Sequence, residues 1–185
     1  MFEPLPIGRP LDIGFEHVID LQEGSNPIIT TPYRHPKRFK EEIEKTTKEI
    51  LEMGHIRPSS IPFTSSVVLV KNKYGTMRMF LDYMELNKNT IKNRYPIPRI
   101  DEMIDEMHGE VYFSKVYMQS RYHQIQVMEE DIHKTTFRCH YGNYEFLVMP
   151  FRLTKALATF QSCANHIFNK HLSKFLFMFF DDVVI

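Results

Sequence analysis

The spacing of apolar residues along the chain predicts one long helix followed by two paired strands. Apolar positions recur three or four residues apart between Phe39 and Leu51, and Gly54 follows them as a stop. This spacing predicts an amphipathic helix from about 37 to 53. Apolar and β-branched runs then predict strands over Ser65–Lys71 and Met77–Leu81, joined by a turn that contains Gly75.

The second half of the chain alternates between short apolar runs and turn residues. Tyr95-Pro96-Ile97-Pro98 predicts extended chain, because proline restricts the residue before it, and a short helix should then end near Gly109. Strands are predicted over Val111–Met118, His123–Met128, Thr135–His140 and Tyr144–Met149. An amphipathic helix is expected from about 156 to 171. This order of elements predicts an α+β fold with an antiparallel sheet.

Composition sets the broad class of protein. The chain has 185 residues, 43% of them hydrophobic, which is enough for one sizeable core or two small subdomains. Residues 1–33 carry scattered prolines and glycines and predict an extended lead-in or linker, with a strand candidate around Glu16–Leu21. The sequence lacks a signal segment and a membrane-length apolar run, and its two cysteines are far apart, so we expect an intracellular protein with reduced thiols.

The formal net charge of zero conceals a basic segment. Residues 34–99 contain 14 Lys and Arg against 7 Asp and Glu, while the rest of the chain is acidic. Such a segment suits a polyanion-binding surface, and it is equally typical of an ordinary solvated face. The hairpin turn from Lys71 to Thr76 has the same two interpretations, either a phosphate clamp or lysines that protect a strand edge from aggregation.

Two adjacent carboxylates interrupt the apolar run at the end of the chain. Asp181 and Asp182 follow Phe175–Phe180 and precede Val183–Ile185, with no loop-forming residue beside them. An Asp pair after a strand often forms only a solvated turn. In this apolar setting, a tight hairpin would hold both carboxylates at the edge of a core, where a divalent cation such as Mg²⁺ or Mn²⁺ is their natural partner.

A set of collinear motifs resembles the reverse transcriptase of gypsy-like LTR retrotransposons. Each motif is weak alone, but in this order they are specific, and they cover roughly residue 17 to the end. The motifs are Pro32-Tyr33-Arg34, Glu52–Ser59, Met77-Arg78-Met79, Asp82-Tyr83, Leu86-Asn87, Tyr95–Arg99, Phe113-Ser114-Lys115, Tyr122–Ile125, Lys134-Thr135, Tyr141-Gly142, Tyr144–Phe151, Ala158–Gln161 and Phe179–Asp182.

The resemblance implies a right-hand polymerase fold and a two-metal mechanism with Mg²⁺. It implies fingers over 34–92 and 125–155 and palm over 93–124 and 156–185, with the thumb and RNase H parts absent. Asp181 and Asp182 would be two of the three catalytic, metal-binding carboxylates. Lys71 and Arg78 would neutralise the incoming triphosphate. Tyr122 would lie under its sugar, although a core aromatic in a strand is an alternative role. RNA or DNA primer–template and dNTP would be the partners.

The third carboxylate is where the sequence departs from the family pattern. The family has Asp where Tyr117 stands, and residues 111–126 contain no Asp or Glu that could replace it. A phenol is neutral at pH 7 and cannot bridge two cations. Arg121 and Arg152 stand where the family shows Gly, which is damaging wherever the backbone needs positive φ. Further departures are Met84 for Arg, Lys155 for Asn and Leu157 for Pro.

These departures predict a truncated and degenerate domain that is impaired in RNA-directed DNA synthesis. Two alternatives remain open from the sequence. One is a non-catalytic module that keeps nucleic-acid binding, and the other is a retrotransposon remnant with no selected role.

Overall fold

The computed structural model describes residues 8–73, 75–92, 99–109, 111–118, 120–172, 174–179 and 182–185, with the backbone alone for Tyr117 and Phe179. Within these ranges the chain forms a mixed α+β fold with three small sheets and four α-helices. The predicted extended segment Tyr95-Pro96-Ile97-Pro98 lies outside the described residues.

The strands are short and irregularly spaced along the chain. In order they are β1 (Glu16–His17), β2 (Ile56–Pro58), β3 (Ser65–Lys71), β4 (Met77–Asp82), β5 (Lys115–Tyr117), β6 (Gln126–Val127), β7 (Phe137–Cys139), β8 (Gly142–Phe146), β9 (Phe177–Phe179) and β10 (Asp182–Val184). The α-helices are α1 (Lys37–Glu52), α2 (Met84–Asn89), α3 (Ile100–Glu106) and α4 (Ala156–Phe168), and 3₁₀ helices span Arg121–Gln124 and Glu129–Thr135.

The largest sheet has five strands in the order β2-β8-β7-β3-β4. Only the β3–β7 pair in it is parallel. The β3–β4 hairpin is its longest pairing and confirms the hairpin predicted from the apolar runs. Helix α1 packs against this sheet through its buried residues Ile43 and Thr47, with the Thr47 hydroxyl 4.0 Å from the sulfur of Met79. Burial of a side chain such as Ile43 contributes about 2 kcal/mol.

A separate three-stranded antiparallel sheet carries the end of the chain. Its order is β5-β10-β9, so β10 is the central strand. The antiparallel pairing of β9 with β10, in which Phe179 lies opposite Asp182, confirms the hairpin that the apolar runs on either side predict. The third sheet is the parallel pair of β1 and β6.

Helix α4 supplies much of the core between these sheets. Phe160, Cys163 and Ala164 are buried on one face of the helix, at separations of three and four residues, or about one helical turn. They belong to a single apolar cluster that also includes Val127 and Met149. Within the described residues, no helix is both long and apolar enough to cross a membrane.

The lead-in, which we predicted as an extended segment or linker, is tied to the rest of the fold by buried polar contacts. The Ile19 amide donates to the buried Asp131 carboxylate at 2.7 Å, and the Lys134 ammonium donates to the Ile19 carbonyl at 2.8 Å. His17 is buried and its Nδ1 lies 3.0 Å from the Thr159 hydroxyl on α4. These contacts hold Glu16–Ile19 as part of the folded unit.

Several predicted strand boundaries were wrong. The predicted strand Val111–Met118 is limited to Lys115–Tyr117, and His123–Met128 begins instead with the 3₁₀ helix Arg121–Gln124. Helix α2 and the 3₁₀ helix Glu129–Thr135 were not predicted. These segments follow tertiary contacts that short apolar patterns do not reveal. One such contact is the bond from the Tyr83 hydroxyl to the Thr135 carbonyl.

Candidate active site

The described member of the Asp-Asp pair lies at the start of β10, in the middle of the three-stranded sheet. Asp182 is in register with Tyr117 of β5 on one side and with Phe179 of β9 on the other. Directly opposite positions in antiparallel strands have Cβ atoms about 5 Å apart. Position 117 is therefore the cross-strand neighbour of Asp182, while Asp181 lies outside the described residues.

Asp182 has a cationic partner on β5. The Lys115 ammonium lies 2.9 Å from Asp182 Oδ1, and the two side chains are 44% and 50% exposed. Such a half-exposed ion pair contributes at most about 1 kcal/mol. The lysine belongs to the Phe113-Ser114-Lys115 motif, but sequence reasoning gave it no role at the site. Its partnership with Asp182 depends on strand register, which the sequence does not reveal.

The described residues supply one carboxylate, Asp182, of the predicted two-metal site. Magnesium requires oxygen ligands, mostly carboxylates, and a two-metal site must balance the charge of both cations. Asp182 is the described carboxylate of the pair, and the Lys115 ammonium adds positive charge beside it. Within the described part of the chain, no group of three or more His, Cys, Asp or Glu side chains is placed to hold a metal ion.

Two basic residues that we predicted to contact the triphosphate lie at the tip of the β3–β4 hairpin. Val70 pairs with Arg78, and Lys71 pairs with Met77. Because side chains alternate along a strand, this register places Lys71 and Arg78 on opposite faces of the hairpin. Both side chains are exposed. The pairing alone therefore does not bring the two cations to one side.

A third basic residue, Arg152, lies on the Arg78 face. Its guanidinium is 4.4 Å from the centre of the Phe80 ring, and Phe80 follows Arg78 by two residues on β4. Arg152 has φ +74°, a conformation that suits glycine. The expected cost of Arg in place of Gly thus applies at Arg152. It does not apply at Arg121, which lies in a 3₁₀ helix and outside the positive-φ region.

Tyr122 packs as a core aromatic. It is only 9% exposed, and its ring centre lies 5.0 Å from that of Phe151 and 5.4 Å from that of Phe160. It belongs to the 3₁₀ helix Arg121–Gln124, so the alternative role of a core aromatic applies in a helix rather than in a strand. Its predicted position beneath a nucleotide sugar stays a prediction.

A cavity of about 350 Å³ lies behind this aromatic cluster. Phe160 and Cys163 of α4 line it, together with His55 and His123. The two imidazole rings are 5.1 Å apart. Burial, reinforced by the neighbouring His55, lowers the pKa of His123 to about 4, and burial also lowers the pKa of His55. The two histidines are therefore neutral at pH 7, which suits their packing beside apolar groups.

Comparison with known proteins identifies the family. The model of the family described as reverse transcriptase (RNA-dependent DNA polymerase) matches residues 70–185. A retrovirus-related Pol polyprotein from transposon 297 of Drosophila melanogaster is 37% identical over 175 residues, covering 92% of this chain and 16% of the polyprotein. An RNA-directed DNA polymerase homolog of Oenothera berteroana is 43% identical over 110 residues, covering 60% of this chain and 78% of that protein. The chain belongs to the reverse transcriptase family.

Solved structures share the fold. The prototype foamy virus protease–reverse transcriptase superposes with a TM-score of 0.77 at 17% identity, covering 90% of this chain and 22% of that one. The foamy viral enzyme in complex with an RNA/DNA hybrid superposes with a TM-score of 0.77 at 15% identity, covering 92% of this chain and 22% of that one. The chain therefore spans only a small part of these relatives, and it matches their mixed α+β architecture.

Proposed function

We propose that this chain is the fingers and palm region of a gypsy-type LTR retrotransposon reverse transcriptase that is impaired in nucleotidyl transfer but still binds primer–template. The proposed division is fingers over 34–92 and 125–155 and palm over 93–124 and 156–185. Family membership and the collinear motifs support this proposal. Thumb and RNase H segments of a longer polyprotein would complete the grip on nucleic acid.

The observation that carries the proposed impairment is the register of β5 and β10. Position 117 lies directly across the sheet from Asp182, so a residue there is a near neighbour of this carboxylate. A carboxylate at this position would add negative charge where two cations must be held. Tyrosine supplies no negative charge at pH 7. Substitution at this one position therefore removes a ligand from the predicted metal site.

The expected loss of activity is large. Losing about 4 kcal/mol of transition-state stabilisation lowers a rate by about a thousandfold. Asp181 and Asp182 would hold the Mg²⁺ ions, which in this family supply charge stabilisation for nucleotidyl transfer. Because Tyr117 would leave this site without its third carboxylate, we assign no catalytic step to the chain as it stands.

Retained binding has separate support. Residues 34–99 carry the excess of Lys and Arg, and Arg78 is exposed on the hairpin. Backbone phosphates are bound mainly through such cations, and this binding does not require the catalytic carboxylates. The foamy viral protease–reverse transcriptase forms complexes with an RNA/DNA hybrid and with double-stranded DNA. We propose the same classes of partner for this chain.

Primer extension tests the proposed impairment. The chain, its Tyr117→Asp variant and its Tyr117→Asn variant would each be assayed on a homopolymer template with Mg²⁺ and with Mn²⁺, after circular dichroism shows that all three fold. We expect incorporation only from Tyr117→Asp, because Asn matches Asp in size but lacks its charge. Incorporation by the unaltered chain would overturn the proposed impairment. Silence from all three would show that restoring position 117 is insufficient.

Fluorescence anisotropy with a labelled primer–template tests the proposed binding. Affinity should fall as salt rises, with a log–log slope that corresponds to several released counterions. A chain that folds but shows no affinity at low salt would favour the alternative of a remnant without a selected role.

A further inference from the structure

We propose that the Arg152 guanidinium, held over the Phe80 ring beside Arg78, is a phosphate-binding group of this chain. The ligand would be either a phosphodiester of bound nucleic acid or the phosphates of a nucleotide. The proposal rests on the proposed function in one respect, since Arg78 is counted there among the cations that bind backbone phosphates. It adds a residue that sequence reasoning treated only as a damaging substitution.

The first support is the shared face of β4. Arg78, Phe80 and Asp82 alternate with residues that point towards α1, such as Met79. Residues two apart on a strand lie about 7 Å from each other. Because the Arg152 guanidinium is 4.4 Å from the Phe80 ring centre, it lies on the face of β4 that carries Arg78. Lys71 is on the opposite face of the hairpin, whereas Arg152 adds a cation to the Arg78 face.

The second support is the way the backbone of Arg152 is held. The Asn87 side-chain amide donates to the Arg152 carbonyl at 2.7 Å and accepts from the Thr154 amide at 2.9 Å. These bonds from α2 fix a turn in which Arg152 has φ +74°. An arginine in this conformation is strained, and strain that the surroundings maintain is a reason to look for a function.

The third support is the charge around the guanidinium. Within the described residues, neither Arg78 nor Arg152 forms an ion pair. The nearby carboxylate on the same face is Asp82, whose oxygens accept from the Tyr33 hydroxyl and the Met84 amide. The two exposed arginines outweigh the single carboxylate of Asp82, so this group of residues has a net positive charge. A planar guanidinium fixed by an aromatic ring is preorganised for bidentate phosphate binding.

The test compares four variants by binding rather than by catalysis. Arg152→Gln removes the charge but keeps a long side chain, Arg152→Lys keeps the charge but loses the planar fork, and Arg152→Gly also relieves the backbone strain. Lys170→Gln is the control, because Lys170 is an exposed cation that follows α4 and lies outside residues 34–99. Thermal melting would first establish that each variant folds.

Two binding arms distinguish the two sources of phosphate. In one arm, anisotropy of a labelled primer–template is measured from 50 to 200 mM salt. In the other, calorimetry follows the binding of tripolyphosphate. Loss of affinity in the first arm alone identifies the nucleic-acid backbone, and loss in the second arm alone identifies the nucleotide phosphates. Both measurements are independent of primer extension, so a chain that binds but does not polymerise leaves the proposal intact.

We expect Arg152→Gln to weaken binding about fivefold to tenfold in at least one arm, with Arg152→Lys intermediate and Lys170→Gln close to the unaltered chain. In the primer–template arm, the salt slope should fall by about 0.7 to 0.9, the value of one phosphate contact. Unchanged affinity of Arg152→Gln in both arms would overturn the proposal. So would tighter binding by Arg152→Gly, which would mean that Arg152 obstructs the ligand, or an equal loss in Lys170→Gln, which would mean a general charge effect.

Discussion

Acidification should destabilise the fold through His17, which anchors β1 to α4. Burial, with a smaller contribution from the Lys155 ammonium, lowers the pKa of His17 from 6.5 to about 4, although Asp131 and Asp20 oppose the shift. The His17 imidazole therefore binds a proton less readily in the folded state than in the unfolded chain. The stability contributed by neutral His17 is fully present above pH 6.5, and it is lost as the pH falls towards 4.

The size of the effect follows from the difference between the two pKa values. A difference of about 2.5 pH units corresponds to about 3 kcal/mol once the pH is below both values. At pH 5.5 the loss is about 1.4 kcal/mol, and at pH 4.5 it is about 2.5 kcal/mol. His17 is only 1% exposed, so solvent screening should reduce these values little. For a domain of ordinary stability, this is a substantial fraction of the free energy of unfolding.

Urea unfolding at pH 7.5, 5.5 and 4.5 would measure this loss in the unaltered chain and in His17→Asn. Asparagine can still bond to the Thr159 hydroxyl, but it does not titrate. Between pH 7.5 and 4.5, the free energy of unfolding of the unaltered chain should fall by about 2.5 kcal/mol more than that of His17→Asn. His108→Asn, at an exposed position, controls for the loss of an imidazole. Parallel pH profiles for the unaltered chain and His17→Asn would refute the reasoning.

Two further substitutions test the packing of the fold, with urea unfolding as the measurement. Tyr83→Phe should cost about 1 to 2 kcal/mol, because the buried hydroxyl donates to the Thr135 carbonyl at 2.9 Å; Tyr112→Phe, at a 91% exposed position, should change nothing. Gly54→Ala should lower the free energy of unfolding by more than Gly24→Ala does. Gly24→Ala should lower it only by the backbone strain of about 1 to 2 kcal/mol. Both glycines have positive φ, but a Cβ at Gly54 would lie 3.0 Å from the Gly8 Cα, whereas Gly24 has open space. Equal losses at the two glycines would contradict the close approach of the lead-in.

The features predicted correctly are those determined by local sequence. Helix α1 and the β3–β4 hairpin both have regular apolar spacing. Gly54 follows the helix and Gly75 lies in the hairpin turn, so the pattern within each segment was sufficient to predict it. The strand predicted over His123–Met128 instead begins within the 3₁₀ helix Arg121–Gln124. Its conformation instead accompanies the packing of Tyr122 against Phe151 and Phe160, which are distant in sequence.

The site shows the same division. The motifs identified Asp182, Arg78 and Tyr122 as residues of interest, but they gave no information on which of them are neighbours. Only strand register shows that position 117 lies opposite Asp182 and that Lys71 and Arg78 are on opposite faces. The sequence shows Arg152 only as a substitution for glycine. Its contact with Phe80 joins two segments that are distant in sequence, so the sequence alone does not predict it.

The two proposals together separate nucleic-acid binding from catalysis. Position 117 belongs to the three-stranded sheet and provides no charge for a metal ion, whereas Arg78 and Arg152 belong to the five-stranded sheet and its neighbouring turn. Loss of a negative charge at the first location lowers affinity for cations, and a cation at the second raises affinity for phosphates. Both changes favour binding of a polyanion over catalysis on it. We therefore expect Tyr117→Asp to restore primer extension with little change in primer–template affinity. Arg152→Gln should instead weaken phosphate binding without restoring primer extension.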